Sequence, residues 1–485
     1  MNVLQQLERL GTRITRLTAD SRKVSPGIAF AAYPGERADG RAYIPQAIER
    51  GSDAILWERD NFCWNGDWQV ANLGITQLRD HVGEIADALY GHPSEHLWML
   101  GVTGTNGKTS VSRWLAQCLN ANERKTALLG TLGNGFLEAL EPAINTTPDA
   151  IELQEYLATY REEGADAVAM EVSSHGLAQG RVNGVRFDVA LFTNLSRDHL
   201  DYHGDMASYG EAKAGLFAMP GLKNAVINLD DIFGMALVGK LRDSAVQTIG
   251  YAIDQRADFG FPTLRAKHLD FSAQGLAFEV SSPWGNGAVT APVFGRFNAY
   301  NVLAVLGGLL ASDLGFASAV ESIAGIQPVP GRMQRLGGGD LPLVLVDYAH
   351  TPDALENSLG AARELVAGNG RLVCVFGCGG NRDPGKRPMM GGIAERLCDQ
   401  VILTSDNPRD EDPLSILNDI RSGMIRGCQI VPDRNAAIAQ SISQSGESDV
   451  ILIAGKGHEN YQEIRSLRLP FSDVEVAKRA LGVKP

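Results

Sequence analysis

Between Gly101 and Ser110 the chain reads GVTGTNGKTS, a spacing suited to holding a polyphosphate. Gly101, Gly104 and Gly107 allow a sharp turn that exposes backbone N–H groups, and such groups at a helix N-terminus bind anions. Lys108 would reach the outer phosphates, and Thr109 would offer a hydroxyl to Mg²⁺. The usual pattern G-x-x-x-x-G-K-[ST] is missed by one residue, because Val102 occupies the first glycine position. The bland alternative is a glycine-rich strand–helix turn without a ligand. The flanking sequence argues against it. Leu97 to Val102 reads as a short buried strand, and Val111, Trp114, Leu115, Cys118 and Leu119 recur as one apolar helical face. An ATP site is expected here.

Three further residues have chemical potential as a group and little alone. Glu171 ends the apolar run ADAVAME, so its carboxylate needs a partner, either a metal or a structural ion pair. His199, in SRDHLDYHG, would by itself be a surface or capping residue. Lys213, in EAKAGLF, would ordinarily be solvated on a helix.

The elements that must position these residues alternate strand with helix along the whole chain. With 485 residues the chain exceeds one core and divides into about three domains, placed at 1–95, 96–329 and 330–485. In the first, 28–33 and 52–58 read as strands and 43–51 as a short helix. In the second, 165–172, 188–195 and 224–230 are buried strands with helices such as Ala150 to Glu162 beside them, which implies a mainly parallel sheet. Residues 276–295 look like a hairpin around Gly285-Asn286-Gly287, and a helix from Asn298 to Leu310 follows. Residues 327–333 and the run Gly337-Gly338-Gly339 mark a hinge. The third domain alternates again, with strands at 343–350, 371–380, 400–409 and 449–459 and a helix from Pro352 to Leu365. Each strand there ends in a polar glycine-bearing loop, where α/β sheets bind ligands.

Composition narrows the function. The net charge of −13 argues against nucleic acid as a partner. The six cysteines have no zinc-ligand spacing and read as small core residues of a reducing compartment. No apolar run approaches membrane-spanning length and the first residues lack a signal-like segment, so a cytoplasmic protein without membrane contact is expected.

Taken in order, GVTGTNGKTS, NTTPD (145–149), EVSSHGL (171–177), TNLSRDHLDYHG (193–204), EAKAGLF, GRFNAYN (295–301), PGRM (330–333), DYAHTPD (347–353), GGNRDPGKRP (379–388), SDNPRDEDP (405–413) and GKGHENYQ (455–462) resemble the Mur ligase family over essentially the whole chain. The N-terminal part is the least diagnostic, with only DSR and ADGR standing out. The resemblance implies a uridine-binding N-terminal α/β domain, a central P-loop ATPase domain and a C-terminal Rossmann-like domain. It further implies an ATP-dependent ligase that adds meso-diaminopimelate to UDP-MurNAc-L-Ala-D-Glu through an acyl phosphate, in peptidoglycan synthesis, working as a monomer.

The resemblance assigns roles residue by residue. Ser21 and the loop Glu36, Arg37 and Ala38 would hold UDP, with Asn145, Thr146, Thr147, Ser173, Gln179 and Arg181 holding the rest of that substrate. Gly104, Thr105, Asn106, Gly107, Lys108, Thr109 and Ser110 would bind ATP, joined by Asn298, Arg332 and Asp347. Lys213 would carry a CO₂-derived carbamate and, with Thr109, Glu171 and His199, hold Mg²⁺, which prefers anionic oxygen ligands. Arg382, Asp406, Asn407, Pro408, Arg409, Gly455 and Glu459 would hold diaminopimelate. Arg409 can grip its second carboxylate with a planar fork, and Asp406 and Asn407 suit the neighbouring ammonium. With lysine in the pocket, that guanidinium would stand unpaired. A folylpolyglutamate synthase would need neither the N-terminal unit nor SDNPR, and a nucleotide-dependent switch would use the loop without ligation.

Overall fold

The computed structural model describes residues 3–36, 38–254, 257–272, 275–465 and 467–483. Each of its three main sheets forms where the sequence alternates apolar strands with amphipathic helices. The first is parallel and four-stranded, in chain order from Arg16–Thr18 through Ile28–Ala32 and Ala54–Glu58 to Ala71–Ile75. Helix Leu78–Leu89 covers one face with Leu78, Val82 and Ile85. The same core takes in Ala150 and Ile151 from the helix Ala150–Glu162, so the first unit is seated on the second.

The central sheet has eleven strands. Trp98–Thr103 lies in its middle, between Val189–Phe192 and Ala167–Glu171, parallel to both. Because these strands share one direction, the loops after Thr103, Glu171 and Phe192 emerge side by side. Helices Lys108–Ala121 and Arg296–Ala311 pack on one face of the sheet around Leu115, Leu191 and Leu306. The second face is closed by Leu153, Leu157 and Phe217.

The C-terminal sheet runs Gln334–Gly337, Leu343–Asp347, Val450–Ala454, Leu372–Phe376, Gln400–Leu403, Gln429–Ile430 and is parallel apart from its first strand. Helices bury both of its faces. A separate hairpin, Tyr461–Ile464 with Leu467–Pro470, stands over the loop after Gln400–Leu403.

Two expectations from sequence are corrected. Gly285, Asn286 and Gly287 pair with Ser282, Ser281 and Val280, so they are strand rather than turn. The turn is Pro283-Trp284, fixed by the Ser282 hydroxyl oxygen, which accepts from Trp284 and Gly285 N–H. The Gly337–339 run is likewise no hinge. Gly337 ends a strand paired with Leu343, so the run is the hairpin loop inside the C-terminal sheet.

Candidate active site

The phosphate-type loop begins two residues later than its standard pattern requires. Val102 is still in the sheet, fully buried and registered against Glu171. The turn is made by Gly104 at φ +147° and Gly107 at φ +90°. A Cβ on Gly104 would lie 1.9 Å from Thr193 Oγ1, and one on Gly107 would lie 2.4 Å from Asn301 Oδ1. Both glycines are therefore required by contact as well as by torsion. Asn194 braces the loop, its carbonyl accepting from Thr105 N–H at 2.8 Å and its side chain from Asn106 N–H at 3.0 Å. Helix Lys108–Ala121 starts without a side-chain cap, which leaves its first N–H groups for a ligand.

Lys108 Nζ turns back to donate to the Gly104 and Thr105 carbonyls at 2.9 and 3.0 Å. Lys213 is not a surface residue. Its side chain is fully buried, and its Nζ donates to the same Gly104 carbonyl at 2.8 Å. Burial, reinforced by the charge of Lys108, holds the Lys213 amine well below its ordinary range. Burial also lowers Lys108, partly offset by Glu171 and Asp198.

Glu171 is buried and accepts from Thr109 Oγ1 at 3.0 Å, Thr131 N–H at 2.8 Å and Thr131 Oγ1 at 3.2 Å. Among the described residues it forms no ion pair, so the structural-pair alternative does not describe it. Thr131, which no motif marked, can at the same time accept from the Thr146 hydroxyl at 3.1 Å. His199, at φ +55°, lies 3.3 Å from Asp198. Burial lowers its pKa to about 3 against the pull of Asp198. Among the described residues no three His, Cys, Asp or Glu side chains come together as a metal cluster. Thr109 and Glu171 thus meet directly and Lys213 shares their loop, while His199 faces Asp198 and feels the charge of Lys108. A hydroxyl and one carboxylate suit Mg²⁺, which takes few protein ligands and completes its shell with water and substrate phosphate.

A cleft of about 390 Å³ opens beside the loop, lined by Asn106, Gly107, Thr109, Ser110, Arg332 and Asp347 among others. Gly104, Thr105, Lys108 and Asn298 are not on its wall. Asn298 instead accepts from Asn301 Nδ2 at 2.9 Å, and Asn301 lines the cleft in its place. Arg332 crosses from the C-terminal side, stacked 4.5 Å over Tyr348, and donates to Thr109 Oγ1 at 2.9 Å. Asp347 accepts from Met333 N–H, Ala349 N–H and the Ser358 hydroxyl, which fixes the strand end that forms the opposite wall.

The two large domains meet in a closed seam. Asn106 Nδ2 donates to Asp353 at 2.8 Å, and Arg197 holds Asp383 with two bonds of 3.0 and 3.2 Å. Buried Asp198 lies 3.5 Å from His350 and 3.6 Å from Lys386. Burial raises the Asp198 carboxyl, but the His350 hydrogen bond, the facing His199 ring and the Lys386 charge outweigh it and hold it well below its ordinary 3.8.

A second cleft, about 950 Å³, lies between the first sheet and helix Ala150–Glu162, and its wall includes Ser21, Ala38 and Asn145. Glu36 accepts from Gln179 and from Tyr202 OH, tying the first unit to the central one. Arg181 donates to Gln179 Oε1 and the Thr147 carbonyl, and Thr147 and Ser173 bond each other beside Glu171. Arg37 lies outside the described residues.

In the C-terminal domain, SDNPR folds against GKGHE and the hairpin. Asp406 Oδ1 accepts from Asn407 N–H at 2.6 Å, and a Cβ on Gly455 (φ +116°) would sit 2.5 Å from Asp406 Oδ2. Pro408 packs its carbonyl against Gly380, and Arg382 extends from the neighbouring loop and donates to the Asn381 carbonyl at 3.2 Å. Arg409, at φ +50°, donates from Nε to Glu463 Oε2 at 3.0 Å and from a terminal nitrogen to the Gly380 carbonyl at 2.8 Å. The expectation of an unpaired guanidinium is corrected. Glu463, one residue beyond the GKGHENYQ motif, partners Arg409 within the protein.

A fold of three α/β units with a phosphate-type loop facing an interdomain cleft defines a nucleotide-dependent, multidomain enzyme class. Three family models match successive stretches of the chain. The Mur ligase family catalytic domain matches residues 13–90, the Mur ligase middle domain 102–309, and the Mur ligase glutamate ligase domain 331–457. The chain belongs to the Mur ligase family. A Chromobacterium violaceum protein named UDP-N-acetylmuramoyl-L-alanyl-D-glutamate--2,6-diaminopimelate ligase is 50% identical over 98% of this chain and 96% of its own. A Pseudomonas aeruginosa protein of the same name is 49% identical over 97% and 95%. A solved structure of a ligase of that name superposes with TM-score 0.69 at 37% identity, covering 97% of this chain and 95% of that one. The Mycobacterium tuberculosis folylpolyglutamate synthase shares the fold alone, with TM-score 0.61 at 19% identity over 82% of this chain and 94% of that one.

Proposed function

We propose that this protein is the ATP-dependent ligase that joins meso-diaminopimelate to the D-glutamate carboxylate of UDP-MurNAc-L-Ala-D-Glu, releasing ADP and phosphate for peptidoglycan synthesis. The observation that carries the reading is one hydrogen-bonded line, Thr146–Thr131–Glu171–Thr109–Arg332. It runs from the residues read as holding the nucleotide–peptide, through the phosphate loop, to the C-terminal domain.

The substrate carboxylate attacks the γ-phosphorus of ATP, ADP leaves, and an acyl phosphate forms. The free amine of diaminopimelate then attacks the acyl carbon, and phosphate departs from the tetrahedral intermediate. Two anions must meet in the first step, so positive groups have to be in place beforehand. Lys108, the first N–H groups of helix Lys108–Ala121 and Arg332 would serve there. Mg²⁺, when bound, neutralises phosphate charge, and Thr109, Glu171, His199 and a carbamate on Lys213 would hold it. The Lys213 environment suits that modification: a neutral amine adds to CO₂, forming an N–C bond and releasing one proton. The closed seam would keep water from the acyl phosphate.

In the C-terminal domain Arg409 and Arg382 would take the distal carboxylate of diaminopimelate, and Glu459, Asp406 and Asn407 its ammonium. The enzyme would work as a monomer. Among the described residues no helix is long and apolar enough to cross a membrane, in keeping with a cytoplasmic enzyme. Calorimetric titration with UDP-MurNAc-L-Ala-D-Glu tests the reading. Saturable binding that weakens when Arg181 is changed to Ala is expected, and absence of binding would remove the nucleotide substrate from this chain.

A further inference from the structure

The loop after strand Val450–Ala454 carries a lysine to which the mechanism above gives no task. Lys456 is completely buried, and its Nζ donates to Asn407 Oδ1 at 2.9 Å and to Glu459 Oε2 at 2.6 Å. A buried ammonium is retained where it has charged or polar partners to repay its desolvation. Both of its partners are residues read above as touching diaminopimelate.

The bonds determine which atoms of those two residues remain for a ligand. Asn407 Oδ1 accepts from Lys456 and from Glu463 N–H at 2.9 Å, so the oxygen of the amide must point that way. Its Nδ2 then donates to Glu459 Oε2 at 2.9 Å. Glu459 Oε2 is thereby used twice, and Oε1 has no protein partner among the described residues. That oxygen is the acceptor left for an ammonium.

We infer that Lys456 is a positioning residue of the amino-acid site, locking the Asn407 amide and turning Glu459 Oε1 toward the ammonium of the incoming diaminopimelate. This rests on the proposed roles of Asn407 and Glu459. A Lys456→Met substitution conserves volume and removes the two bonds. Steady-state kinetics should give a KM for diaminopimelate raised by about 30-fold, the scale of losing one partner of a buried charge pair, with kcat lowered much less. The KM values for ATP and the UDP substrate should stay within about 2-fold, a split that general loosening of the domain would not produce. In a Glu459→Gln background the same substitution should add less than about 3-fold, because the two act through one contact.

If Lys456→Met does not fold, Lys456→Gln, which keeps a donor in the same space, should show an intermediate rise. An unchanged KM for diaminopimelate in a folded variant, or equal losses for all three substrates, overturns the role of Lys456. If Glu459→Gln alone leaves that KM unchanged, it is the underlying reading of the amino-acid site that fails.

Discussion

Lys108 and Lys213 donate to the same acceptor, the carbonyl oxygen of Gly104, at 2.9 and 2.8 Å. Charged together, the two amines on one carbonyl would repel each other in a poorly solvated site, which favours the neutral form of Lys213. Conversion of one amine into an anionic carbamate turns that repulsion into attraction. Lys213→Ala is therefore expected to be nearly inactive, and short carboxylic acids added to the assay should restore part of the rate by occupying the vacated space. Full activity of Lys213→Ala without additives would reduce this lysine to packing.

Lys108→Ala should lower kcat by at least ~10²-fold, as the loss of one preorganised charge contact to a transition state does. Thermal unfolding should change little, since the Lys108 bonds are to its own loop. Near-normal turnover would detach ATP from the loop.

The phosphate loop was legible in sequence because its signal is local: a strand, two glycines, Lys-Thr and an apolar helical face lie within a few residues. The missing first glycine was misleading only as a pattern, since Val102 is sheet and the turn needs glycine at 104 and 107. Partners across domains were not legible. Thr131 and Glu463 carry no motif, and their importance arises from where folding puts them, against Glu171 and Arg409. Lys213 looked like a solvated helix residue because its burial depends on the packing of a distant loop. Gly285-Asn286-Gly287 was misread because a Ser hydroxyl cap, and not a glycine turn, closes that hairpin.

The Arg409–Glu463 pair changes the expected selectivity. A guanidinium already holding Glu463 and the Gly380 carbonyl loses less when the ligand lacks a second carboxylate. Lysine should be used about 10²-fold less well than diaminopimelate in kcat/KM, the scale of one or two hydrogen bonds to a charged group and short of an unpaired buried cation. Arg409→Ala should remove most of that preference, and Arg409→Lys should restore little of it, because one ammonium cannot reproduce the fork. Equal use of both amino acids by the unaltered enzyme would refute the assignment of SDNPR.

Asp198 joins the two domains through His350 and Lys386, and its carboxyl is held below its ordinary 3.8. A depressed carboxyl contributes stability that is present above the unfolded value and lost as pH falls through the folded one. Asp198→Asn should lower Tm at pH 7, and the gap from the unaltered protein should persist down to about pH 4 and shrink below it. A gap that is constant down to pH 2 would show that the aspartate does not act through its charge.

Phosphate release from ATP, measured with UDP-MurNAc-L-Ala-D-Glu present and a panel of amino acids offered one at a time, tests the central claim most directly. Release should require the nucleotide substrate, run fastest with meso-diaminopimelate, and match the tripeptide nucleotide formed mole for mole. Release that proceeds without the UDP substrate, or at the same rate with every amino acid offered, would contradict it.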